Sequence, residues 1–290
     1  RYGVHPMSIL RTAFSALAEY DDTPEEDTPS EQVSQAIRIV SKLATIAAAI
    51  GRARQGQPFI HPRADLTHAA NFYYMLTGNI PDSFLSKVMD VLLILHADHE
   101  SNASTFAAVV VRSTLSDTYS AIVAGIAALK GPLHGGANEE VMRMLQAIGS
   151  LDNVDRFLED AMSQKIRISG FGHRVYKTTD PRAAILRSYA HDVTRRAGKE
   201  HWLETAERIE QVMAEKYGQR GIWPNVDFFS GVVMASMGIE TSMFTPIFAV
   251  GRSAGWVAHT IEQRKDNRIF RPRFVYVGPE EEPYTPIRER

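Results

Sequence analysis

Four short segments combine glycine, histidine, asparagine and aspartate in an otherwise helical-looking sequence. They are His96-Ala97-Asp98-His99-Glu100, Gly131-Pro132-Leu133-His134-Gly135-Gly136-Ala137-Asn138, Gly170-Phe171-Gly172-His173-Arg174-Val175-Tyr176 with Asp180-Pro181-Arg182, and Asn225-Val226-Asp227-Phe228-Phe229-Ser230-Gly231. Each sets a titratable group where a loop meets a helix, beside unpaired backbone N–H groups and a fixed dipole. Glycines flank His134 (Gly131, Gly135, Gly136) and His173 (Gly170, Gly172), and they let backbone approach a ligand closely. A plain interhelical turn with an incidental histidine would look the same, and composition leaves both readings open. Asp227 opens an apolar helix, so it is either an N-cap or the carboxylate of a site. Asp180 before Pro181 reads as a structural cap, which puts Arg182 in a first helical turn, against the dipole. An anionic ligand would relieve that conflict. Arg252 lies in the small, apolar run Val250-Gly251-Arg252-Ser253-Ala254-Gly255-Trp256, where a charge needs a partner. A bound carboxylate would supply one in bidentate geometry. The later basic residues Arg264, Lys265, Arg268, Arg271 and Arg273 suit a solvated face equally well. Together, three histidines, one aspartate and several arginines describe a site for a multiply anionic substrate.

Other chemistries fit less well. His96 and His99 are three apart, not the four of a zinc-binding helix, so the pair reads as a polar helix end and no metal is expected. The chain has no cysteine, which removes disulfides, thiolate metal sites and a cysteine nucleophile. No serine elbow, P-loop or dinucleotide fingerprint appears, since Gly170-Phe171-Gly172 lacks the strand and third glycine. With 32 basic and 34 acidic residues the net charge is -2, so no global field points to nucleic acid. Apolar residues make up 44%, enough to exclude disorder as the main state of a 290-residue chain. The longest strongly apolar stretch, Val91 to Leu95, is far short of the roughly 20 residues of a membrane span. No membrane association is expected. The lack of cysteine fits a reducing compartment, and the cytoplasm is the expected location. Arg1-Tyr2-Gly3-Val4-His5-Pro6-Met7 reads like the interior of a longer protein.

These residues are positioned by helix after helix. Thr23-Pro24-Glu25-Glu26 and Thr28-Pro29-Ser30-Glu31 match capping boxes. Val33, Ile37, Val40, Leu43, Ala47 and Ile50 then form an amphipathic stripe. The helix after Pro81-Asp82 is apolar around most of its circumference and is expected deep in the core. Ala103–Leu129 and 228–262 are rich in small apolar residues, as tightly packed helices would be. Asn138 can cap a helix beginning Glu139-Glu140. Residues 200–216 form a charged helix with Leu203, Ile209, Val212 and Met213 inward. Phe274-Val275-Tyr276-Val277 is the one short strand candidate, and the acidic, proline-rich tail from Gly278 reads as an arm or a frayed end. The fold class is therefore all-α, about a dozen helices, with a charged 139–216 region suggesting a smaller helical domain inserted in a larger one.

The motifs GPLHGGAN, GFGHRVYKTTDPR and NVDFFSG, in this order, resemble citrate synthase in its shorter bacterial and archaeal-like forms. The resemblance runs from His5-Pro6-Met7 to Arg271-Pro272-Arg273, and the family has a longer N-terminal part. It implies a large domain (1–134 and 233–290) and a small inserted domain (135–232), in a homodimer or an assembly of dimers. It implies condensation of acetyl-CoA with oxaloacetate and hydrolysis of citryl-CoA, the first step of the tricarboxylic acid cycle, without metal or cofactor beyond the acetyl-CoA co-substrate. By resemblance Asp227 is the base that takes a methyl proton of the thioester. His134 stabilises the enol, and His173 polarises the ketone of oxaloacetate. His99, Arg182 and Arg252 bind oxaloacetate, and Arg271 reaches the neighbouring subunit's site. Arg167, Ile168, Ser169, Gly170 and Phe171 line the CoA site. The rivals are a 2-methylcitrate synthase using propionyl-CoA, a non-catalytic helical scaffold that kept the fold, and a histidine-rich metal hydrolase.

Overall fold

Side-chain caps open most of the helices, where Thr, Asp or Asn precedes an apolar run. The computed structural model describes residues 3–290, which contain twelve α-helices and no strand. They are α1 (Pro6–Ser15), α2 (Pro29–Arg54), α3 (His68–Thr77), α4 (Ser83–Ala97), α5 (Ala103–Ser113), α6 (Thr118–Leu129), α7 (Ala137–Ile148), α8 (Val154–Ser163), α9 (Pro181–Ala197), α10 (Glu200–Tyr217), α11 (Val226–Ser236) and α12 (Phe244–Lys265). The expected all-α class is the observed one. Thr28, Thr67, Asp82, Asn102, Asp117, Asp180 and Asn225 each accept a backbone N–H from the first turn they cap.

Helix α12 is the hub. It packs against α2, α4, α5 and α6, burying Ile247, Phe248, Ala249, Val250 and Trp256. Its glycines are the reason it can lie so close to α4. A Cβ on Gly255 would fall 2.3 Å from the Ala97 carbonyl oxygen, and one on Gly251 would fall 2.8 Å from that of Leu93. A second group forms around α11, which packs on α7 and α9, while α10 packs on α8 and α9. Contacts of α4 with α9 and of α7 with α12 join the two groups.

Several expectations are corrected. The inward stripe of α2 is Gln32, Gln35, Ile39 and Leu43, whereas Val33 (52%) and Ile37 (64%) are exposed. The loop before the helix covers that face. Gln35 Nε2 donates to the Thr23 carbonyl at 2.6 Å, and Gln32 Nε2 donates to Asp27 Oδ1 at 2.7 Å, so the buried amides are satisfied. Thr23 starts no helix; its hydroxyl donates to Glu31 Oε1 at 2.7 Å within that loop. By length and hydropathy alone α2, well beyond Val91–Leu95 in extent, would suffice to cross a membrane. Here α2 packs on α1, α3 and α12. Helix α4 is buried on one side only, with Ile94 60% exposed. Asn138 lies inside α7, whose N-cap is Gly136. Phe274–Val277 pairs with nothing among the described residues and stands 73–92% exposed, because no neighbouring strand offers backbone partners.

Candidate active site

The junctions singled out in the sequence converge on one cleft of about 1090 Å³. His99, His134, His173, Arg182, Asp227 and Arg252 all line it, as do Arg167, Ile168 and Phe171. Ser169 and Gly170 are not among the residues that line it. Arg271 lies outside it, exposed on the arm beyond α12, where its Nη1 donates to the Pro272 carbonyl.

His134 is held by a turn that demands glycine. Gly135 N donates to the Leu129 carbonyl at 2.9 Å, and a Cβ at Gly135 would lie 2.4 Å from that same oxygen. The ring nitrogen Nε2 faces Ser104, whose backbone N–H donates to it at 3.3 Å and whose Oγ lies 2.8 Å away. A backbone amide can only donate, so Nε2 is an acceptor and the ring proton sits on Nδ1. Burial, reinforced by the nearby Arg252 charge, pushes the His134 pKa down to about 4, so the ring is neutral at physiological pH.

His173 has the opposite tautomer. Its Nδ1 accepts from the backbone N–H of Val175 at 3.0 Å and of Tyr176 at 3.2 Å, which leaves the proton on Nε2. The loop that carries it is zipped to the start of α11. Gly172 N donates to the Trp223 carbonyl, Asn225 N donates to the Gly170 carbonyl, and Asn225 Nδ2 reaches the Gly172 carbonyl at 3.0 Å. Gly172 has φ 83°, which a side chain rarely tolerates. The His173 ring stands edge-on to His99 with centroids 4.8 Å apart. Desolvation, then the neighbouring His99, lowers the His173 pKa.

Asp227 lies in the first turn of α11; the cap is Asn225, whose Oδ1 accepts the Asp227 N–H at 3.0 Å. The carboxylate is therefore free of capping duty. Its Oδ1 is sealed from solvent and has no hydrogen-bond partner, while the residue keeps a window on the cleft. Desolvation pushes its pKa up to about 7, against the pull of Arg182 and Arg252.

The arginines are provided for unequally. Arg182 is paired with Asp180, whose Oδ1 accepts Nε at 3.1 Å and whose Oδ2 accepts Nη2 at 2.8 Å. Asp180 is thus more than the cap expected. Its Oδ2 also accepts Val226 N at 3.2 Å and ties α9 to α11. Arg252 is 1% exposed and has no carboxylate partner among the described residues. Its Nε donates to the His96 carbonyl at 2.7 Å, its face rests 4.9 Å from the Phe248 ring, and its Nη1 is buried and unpartnered. His96, expected at a polar helix end, is a core group: its ring packs edge-on against Phe248 at 4.7 Å, with Nδ1 2.7 Å from the Leu92 carbonyl. Ser104 and Phe248 escaped the sequence reading because nothing in their spacing marks them. Only the pairing of α5 and α12 with the His134 turn brings them in.

The arrangement offers a poised base, two N–H donors with fixed directions and an unsatisfied guanidinium. It can take a proton from a weak carbon acid, stabilise two oxygens as charge develops, and hold a carboxylate. A sequence model described as "Citrate synthase, C-terminal domain" matches residues 1–273. The citrate synthase of Deinococcus radiodurans is 49% identical over 288 residues, covering 99% of this chain and 76% of its own length. That of Synechocystis sp. is 46% identical over 286 residues, covering 99% and 72%. The fold superposes with a TM-score of 0.94 on the citrate synthase of Thermoplasma acidophilum in ternary complex with carboxymethyl coenzyme A and oxaloacetate (35% identity, 100% of this chain and 77% of that one). The Pyrobaculum aerophilum citrate synthase gives 0.88 at 44% identity, covering 100% and 75%. With a match along nearly its whole length and relatives close to half identical, the chain belongs to the citrate synthase family, a family of acyltransferases.

Proposed function

We propose that the cleft condenses acetyl-CoA with oxaloacetate and hydrolyses the citryl thioester to citrate and CoA. The observation that carries this reading is the meeting of Asp227, His134 and His173 with fixed proton positions beside the unpaired Arg252. Ionised Asp227 removes a methyl proton from the thioester. A carboxylate is too weak a base to hold a free enolate, so the Nδ1–H of His134 hydrogen-bonds the thioester oxygen as the enol forms. The enol carbon bonds to the ketone carbon of oxaloacetate, and the Nε2–H of His173 supplies the proton that the new alkoxide takes. Water then adds to the citryl thioester, and CoA leaves as the free thiol. Arg252, Arg182 and His99 hold the carboxylates of oxaloacetate, and Arg167, Ile168 and Phe171 face the CoA side.

In this reading residues 1–134 with 233–290 form one lobe and 135–232 the other, and closure of the lobes controls water access. The exposed arm supports a homodimer in which Arg271 serves the second copy's cleft. The propionyl-CoA alternative is not favoured, since relatives at 46–49% identity carry the name citrate synthase. The test is thiol release from acetyl-CoA with and without oxaloacetate, repeated with propionyl-CoA. Release that needs oxaloacetate and prefers acetyl-CoA is expected; none with either thioester overturns the reading.

A further inference from the structure

Helices α4 and α9 are in contact. The C-terminal end of α4 leads into His99, beside His173 and Arg182 at the start of α9. At the far end Arg196, in the last turn of α9, meets the start of α4. Its Nη1 donates to Asp82 Oδ2 at 3.1 Å, and its guanidinium lies 3.9 Å from the Phe84 ring centroid. Fourteen residues of helix separate Arg182 from Arg196, so this contact acts from about 21 Å away.

An exposed ion pair is normally worth little, because two long side chains must be immobilised. Here both partners are already held. Asp82 is the N-cap of α4, its Oδ1 engaged by the Leu85 N–H at 2.7 Å. The guanidinium is oriented by the aromatic face, which adds a cation–π attraction. Each oxygen of Asp82 thus has its own task, one inside α4 and one across to α9.

We propose that Arg196 is a positioning residue for oxaloacetate binding: clamped on Asp82 and Phe84, it sets through the rigid rod of α9 where Arg182 and the His173 loop stand relative to His99. The inference rests on the proposed reaction and its two lobes, since α4 belongs to one lobe and α9 to the other. Loss of the clamp lets the lobe that carries α9 swing away, and oxaloacetate must then pull it back on binding.

The variants are Arg196→Ala, Asp82→Asn and the pair together. Asn is as good an N-cap as Asp, so Asp82→Asn keeps α4 intact and removes only the charge. Arg196→Ala is expected to raise KM for oxaloacetate roughly fivefold, the factor carried by one such contact, with kcat unchanged and the chain still fully folded at the assay temperature. Arg196→Lys restores part of the affinity. Adding Asp82→Asn to Arg196→Ala costs less than its separate effect, as it must if the two act on each other. Lobe separation is read independently by spin labels on Ser41→Cys and Glu204→Cys, specific because the chain has no cysteine. Arg196→Ala should lengthen that distance without ligand, and oxaloacetate should restore it. Unchanged KM and distance, fully additive losses, or a fall in kcat with stability would each overturn the proposal. Absence of turnover in the unaltered protein would count instead against the proposed reaction, and the label distances would still judge the clamp.

Discussion

Helices α9 and α11 begin side by side, each with an aspartate at or near its start, and the two carboxylates meet opposite fates. Asp180 caps α9 and accepts from Arg182 and from Val226 N, and these hydrogen bonds together outweigh its burial and hold its pKa below the usual carboxylate range. Asp227, in the first turn of α11, is relieved of capping by Asn225, keeps an oxygen without a partner among the described residues, and is pushed up to about 7. Burial is common to both, so it does not decide the outcome; the supply of donors does. The satisfied carboxylate is a structural anion, and the deprived one is suited to the proposed role of base.

The harshest way to probe this contrast is to remove the deprived carboxylate. Asp227→Asn is expected to lower kcat about 10³-fold, within the range of a lost general base. The same change should stabilise the fold. From about pH 4 to 7 the unfolded Asp227 ionises while the folded one keeps its proton, so folding stability falls as pH rises through that window. Thermal unfolding should show the variant ahead by on the order of 2–4 kcal/mol above pH 7, with the gap closing near pH 4. A variant equally active, or no more stable at pH 8, would erase the contrast.

Asp180→Asn attacks the other member. It leaves the Arg182 guanidinium largely buried without its anion, and chemical denaturation should show a loss of about 3 kcal/mol at pH 7. Because the Asp180 pKa is depressed, that stabilisation is present above the ordinary carboxylate pKa and fades as pH falls through the depressed one. The deficit should therefore vanish in acid. The smallest effect is the most diagnostic. In the unaltered protein kcat/KM for acetyl-CoA should fall tenfold per pH unit below about pH 7, as Asp227 takes up its proton. The Asp180 charge raises the Asp227 pKa, so Asp180→Asn should move that limb to lower pH by a fraction of a unit. A shift to higher pH would contradict the electrostatic link between them.

The helices and their starts were readable because caps and periodicity are local. Asp82, Asp180-Pro181 and Thr28-Pro29 each open a helix as expected. The gathering of His134, His173 and Asp227 follows from the resemblance of the motifs GPLHGGAN, GFGHRVYKTTDPR and NVDFFSG, since the glycine-flanked junctions alone leave an incidental turn equally open. What failed was through-space. Val33 and Ile37 looked like core until the loop ahead of α2 folded its carbonyls onto Gln32 and Gln35. The second duty of Asp180 needed Val226, 46 residues on. Ser104, which fixes the His134 tautomer, is one serine among many in the sequence. Phe274–Val277 had strand composition and no strand to join.

The lone guanidinium of Arg252 has one more consequence. Its Nη1 hydrogens are withdrawn from water and meet no acceptor, so the unliganded chain carries an electrostatic burden at its centre. A dicarboxylate lifts that burden only in the folded state. At a hundred times its dissociation constant it would add about 2.7 kcal/mol to the free energy of unfolding. Resistance to heat should therefore track the supply of the smaller substrate, and an enzyme at work should outlast the same enzyme idle.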